Sequence, residues 1–135
     1  MDTFYNHFNE KADELFKDLI DGFPKDPNYS NVVTEFRTFK SGFTVLKNID
    51  FRKPQRVFRD YVVSTYREKI ENKDETFFLE SNEFEIASKR VEYWMEFISQ
   101  LRVAWGLMDT ANKEIIWKYF KLLVFLSDKC DSKTI

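Results

Sequence analysis

Residues able to do acid–base, nucleophilic or metal chemistry are scarce in this chain. It has one histidine, His7, and one cysteine, Cys130, at opposite ends of 135 residues. Zinc sites draw on several Cys or His ligands, and a ferritin-type di-iron site takes two Glu-x-x-His pairs. His7 precedes Glu10 by three, the reverse order, so no metal centre is expected. His7 reads instead as a residue at a helix start, near Phe4 and Phe8. A lone cysteine forms no disulfide within the chain and suits a reducing compartment. Ser and Thr hydroxyls would have His7 as their sole imidazole base. Carboxylates do pair at helical spacing, Glu10 with Glu14 and Glu92 with Glu96. They fall on faces that the hydrophobic pattern turns to solvent, whereas acid–base catalysis needs a cleft that shifts the pKa. Gly22, Gly42 and Gly106 are scattered and make no phosphate-binding loop. These patterns predict no catalytic residue, no cofactor and no small-molecule substrate, and the chain is read as not an enzyme.

Two other groups could meet a partner. Residues 47–73 are net basic between acidic stretches at 1–28 and 74–96, in a chain of formal net charge −2. Arg52, Arg56 and Arg59 share one side of a helix starting near Pro54, and Lys47 and Lys53 lie close in sequence. Such a patch could contact phosphates, with Phe51 or Tyr66 stacking on bases, or it could pair with an acidic protein surface. The second group is aromatic: 15 Phe, 6 Tyr and 3 Trp, 18% of the chain. Most are expected in the core. Rings off the main apolar seams are the interface candidates, namely Tyr5, Tyr29, Phe51, Tyr93, Phe97 and Trp117.

The elements that would carry these residues are helices. With 3 Gly and 3 Pro, the chain has few breakers. Phe4, Phe8, Ala12, Leu15 and Leu19 recur at spacings of three and four and predict a helix over 3–21, stopped by Asp21-Gly22-Phe23-Pro24. Asn28 or Ser30 could cap a second helix, whose seam is Val32, Phe36, Phe39, Phe43 and Leu46, with Gly42 able to end or kink it. Pro54 suits the first turn of a third helix over 54–71, where Val57, Phe58, Tyr61, Val62, Thr65 and Ile70 are the apolar positions. Thr76 to Leu79 reads as an apolar plug. Ser81 or Asn82 caps a fourth helix, in which Ala87, Val91, Trp94, Ile98, Leu101, Trp105 and Met108 hold a heptad-like seam. A fifth helix over 111–128 is apolar on nearly all sides, which predicts a central, buried position. The expected fold is all-α, a single five-helix bundle over 1–128 with a buried apolar C-terminal helix, followed by a polar tail at 129–135. No stretch reads as a signal peptide or a membrane span, so a soluble, cytoplasmic protein is expected.

Two stretches carry a family resemblance. One runs from Phe58 through Tyr61 and Tyr66 to Ile70 and on through Asp74, Phe77, Phe78 and Leu79. The other runs from Trp105 to Asp109 and then from Asn112 through Trp117, Tyr119 and Phe120 to Leu123. Together they resemble small helical proteins of unassigned activity encoded by large DNA viruses of algae and protists, over roughly residues 50–128. The resemblance supplies no catalytic residues. It implies a viral protein made in the host cell, in the host cytoplasm or the virion. The expected function is a non-enzymatic protein–protein interaction or structural accessory role, with a protein partner or homo-oligomer and no membrane. The alternative is a nucleic-acid-binding accessory protein using the basic stretch 47–69.

Overall fold

Helix formation follows the three-and-four spacing. In the computed structural model, which describes residues 3–23, 25–74 and 93–132, six α-helices and no strand are found among the described residues. They are α1 (Thr3–Gly22), α2 (Ser30–Ile49), α3 (Lys53–Phe58), α4 (Ser64–Glu71), α5 (Tyr93–Trp105) and α6 (Thr110–Ser132). The fold is therefore all-α. Gly22 ends α1 as its sequence predicts, and its carbonyl accepts from Asn112 Nδ2 on α6 at 3.2 Å. A 3-10 turn over Pro27–Tyr29 leads into α2. It is held by Asp26, whose carboxylate accepts from the Asn28 amide, while the Ser30 hydroxyl donates to the Pro27 carbonyl. Gly42 neither ends nor breaks α2, which runs on to Ile49.

The single helix expected over 54–71 is split. Between α3 and α4 the turn Arg59–Val63 is π-helical. The buried stripe here is Phe58, Val62, Tyr66 and Ile70. Three successive steps of four residues rotate a stripe by about 40° each in an α-helix of 3.6 residues per turn. One wider turn takes up part of that rotation and keeps the stripe against the core. Tyr61, expected on the seam, is pushed outward and is 38% exposed, and Tyr66 takes the buried place.

α1 packs most extensively on α6, and the two run antiparallel: Gly22 meets Asn112, and Asp18 accepts from the Tyr119 hydroxyl at 2.5 Å. The densest cluster of rings lies around the first half of α5. Trp94 touches the rings of Phe8, Phe16, Phe43, Phe58 and Phe97, with centroids 5.0–6.1 Å apart and mostly edge-on. This geometry sets ring edges against ring faces, the favourable arrangement. Trp94 Nε1 donates to the Pro54 carbonyl at 2.9 Å, so the indole is buried with its N–H satisfied. The predicted seam holds where it is described: Trp94, Ile98, Leu101, Trp105 and Met108 are all buried. Ala87 and Val91, the plug at 76–79 and the caps at Ser81 or Asn82 lie outside the described residues.

Two expectations for the last helix are corrected. It is not buried on all sides, because Lys118, Lys121, Phe125 and Lys129 face solvent. Nor does it stop at 128. It continues to Ser132 because its last turns have partners: Cys130 is buried, Arg67 grips Asp128, and Arg59 and Gln55 both donate to Asp131.

Candidate functional site

The structure divides the five predicted basic contacts. Lys47 pairs with Asp13 of α1 and lies 5.9 Å from the Phe43 ring centroid. Arg59 donates to Asp60 (2.9 Å) and to Asp131 (3.2 Å), and the Asp60 hydrogen bond, more than the Asp131 one, raises its pKa. Arg52, Lys53 and Arg56 remain exposed where α2 turns into α3. Arg52 lies over the rings of Phe51 and Tyr5 at 5.2 and 5.9 Å. Lys53 and Arg56 line a depression of about 330 Å³ that also holds Asp50, Asp60 and Tyr61. The two carboxylates offset the two cations there. Tyr66, one of the rings proposed to stack on bases, is buried.

The aromatic candidates are largely corrected. Tyr5, Phe97 and Trp117 are core residues, 7%, 0% and 3% exposed. Phe97 is enclosed because α5 is packed on several sides: it meets Phe16 of α1, Phe36 and Phe39 of α2 and Phe120 of α6. A residue off a single heptad seam is then still inside. Trp117 sits edge-on to Trp105 at 5.8 Å. Tyr29 and Phe51 are half-buried, against Phe23 and Tyr5 respectively. The Tyr93 side chain lies outside the described residues.

The exposed large apolar side chains are others: Val45 (59%) and Ile49 (76%) on α2, Val103 (65%) on α5, Leu107 (50%) just after it, and Phe125 (54%) on α6. Two of these lie on a face that the sequence already marks. The side of α2 opposite Phe36, Phe39 and Phe43 carries Ser30, Thr34, Thr38, Ser41, Val45, Asn48 and Ile49, all exposed. From Thr38 to Ile49 it has no charge, while the exposed Arg37 stands on its N-terminal half. Reading the back of the predicted seam, not the seam itself, would have found it.

The remaining chemistry is sparse. His7 is exposed on α1. Cys130 is buried, and burial pushes its thiol up to about 11, which keeps it protonated and a poor nucleophile at neutral pH. Among the described residues no three His, Cys, Asp or Glu side chains are placed to hold a metal ion. A cleft of about 550 Å³ lies between the end of α1 and the start of α2, with Phe23, Tyr29 and Val33 lining it beside Lys25, Arg37 and Asp21. It carries both signs of charge and no nucleophile–base pair. Gln55 of α3 is fully buried. Its amide donates to Ser127 Oγ at 2.8 Å, while its own carbonyl oxygen has no partner. No helix among the described residues is long and apolar enough to cross a membrane. The chain matches no protein-family model, no curated protein and no solved structure.

Proposed function

We propose that this protein works by protein–protein contact, as a non-enzymatic structural or accessory component of a large DNA virus, acting in the host cytoplasm or the virion. The observation that supports this most is the uncharged stretch from Thr38 to Ile49 on the outer face of α2, with Val45 and Ile49 standing out of it. Protein surfaces that stay in solvent carry about 25–35% charged residues, and interface centres are depleted of charge. A two-fold arrangement sets a helix face against its own copy, so charge on that face would repel itself. An uncharged stretch avoids this, and the occupant we assign to it is a second copy of the chain.

Sedimentation velocity over a range of concentrations tests this reading. The wild type is expected to self-associate, and Val45→Lys with Ile49→Lys to stay monomeric at every concentration with unchanged helicity. A wild type that remains monomeric at high concentration removes the homo-oligomer. A nucleic-acid role is the second reading, and it rests on the exposure of Arg52, Lys53 and Arg56 at the α2–α3 corner.

A further inference from the structure

The outer face of α6 differs from that of α2 in both charge and shape. Phe125 is 54% exposed, although Leu123, Val124 and Leu126 beside it are buried. Lys121 and Lys129 stand four residues before and after it, and Lys118 seven before, so all three share its side of the helix. Lys129 Nζ lies 5.4 Å from the centroid of the Phe125 ring. Among the described residues Lys118 and Lys121 form no ion pair. The nearby carboxylates are already engaged: Asp128 accepts two bonds from Arg67 at 2.8 and 2.6 Å, and Glu114 pairs with Lys73 at 2.7 Å. A groove of about 310 Å³ runs beside the ring, between α4 and α6. The result is a basic, ring-centred surface on a chain whose net charge is −2.

We infer that this face docks an acidic segment of a different protein, which sets one apolar side chain in the groove against Phe125 and carboxylates against Lys118 and Lys121. Charge complementarity selects the occupant. A second copy of this acidic chain is a poor match, because the face would meet its own lysines across a two-fold axis. A nucleic-acid strand would meet the same lysines, and the oligonucleotide arm of the test below separates it from an acidic peptide. A membrane surface would call for a broad apolar face, and α6 turns its other large side chains inward. This site is separate from the α2 face, and neither depends on the other.

A random peptide library displayed on phage, selected on the full chain, tests the inference. Phe125→Ser and Lys121→Glu serve as counter-selections. Peptides enriched on the wild type should be net acidic with an apolar residue at a fixed position. Their binding should weaken about tenfold or more in Phe125→Ser, and should fall in Lys121→Glu and on raising salt from about 0.05 to 0.5 M. Both side chains point outward, so circular dichroism should match the wild type; if Phe125→Ser misfolds, Lys121→Glu decides. A single-stranded oligonucleotide and phosphatidylserine vesicles run alongside. No enrichment, enrichment of basic or neutral peptides, equal binding by the variants, or tighter binding of oligonucleotide or vesicle each overturns it.

Discussion

Trp94 is one of the two ring hubs of the core, with Phe97. It is fully buried, contacts five rings and donates to Pro54. Truncation to Ala would leave a cavity that its ring neighbours could fill in part only. The expected loss is about 3–5 kcal/mol, read from equilibrium urea unfolding. Cys130 sets a limit at the alkaline end. Its folded pKa is raised to about 11 from an ordinary value of 9.0, chiefly by burial. A raised acid contributes stability that is complete below the unfolded value and is lost as pH rises through the folded one. Unfolding free energy should therefore decline from about pH 9 towards 11. Cys130→Ala should flatten that part of the curve, though not wholly, because burial together with the Asp18 hydrogen bond also raises Tyr119.

At the scale of elements, the contact between the α3–α4 segment and the end of α6 shows which interactions matter. Arg67 makes two short bonds to Asp128, and the Arg67 hydrogen bond lowers the Asp128 pKa, yet both side chains are more than 40% exposed. Ions that solvent reaches in this way are worth about 0–1 kcal/mol. The Gln55–Ser127 bond is neutral but fully buried. Removing the hydroxyl takes the shortest bond from a buried amide and leaves it only the longer ones to Asp131 at 3.3 Å and the Ser127 carbonyl at 3.4 Å, a loss of about 1 kcal/mol or more. Thermal denaturation should accordingly show Ser127→Ala to be more damaging than Arg67→Ala. The Arg67 variant should lose its smaller effect as pH falls through the depressed Asp128 pKa, since protonation removes the charge that Arg67 meets. This contact also explains a boundary that periodicity missed. Lys129 to Ser132 look like a polar tail by composition, and Asp131 is held by Arg59 and Gln55, 72 and 76 residues away. Local pattern carries no information about such pairs.

Across the whole molecule, helical class, the stop at Gly22 and the α5 seam could all be read from spacing, because each depends on neighbours three or four residues away. The ring cluster could not. Runs of apolar residues marked α6 as buried but gave no sign that α1, α2, α3 and α6 all set rings against Trp94 and Phe97. Three of the rings expected at the surface, Tyr5, Phe97 and Trp117, are buried, and Val45, Ile49 and Phe125 are exposed. The candidate surfaces were legible only from the backs of the helices, where the uncharged stretch of α2 and the lysines of α6 stand in the sequence but need the fold to say which side is out. The solitary thiol has a use in kinetics. Cys130 is the one cysteine in the chain and is 2% exposed, so a thiol reagent can reach it only when the last turns of α6 lift from the bundle. Its rate of alkylation at neutral pH is a clock for that local opening, needing no added probe. Comparing that rate with the rate of global unfolding would tell whether the two ends of the molecule come apart together or in turn.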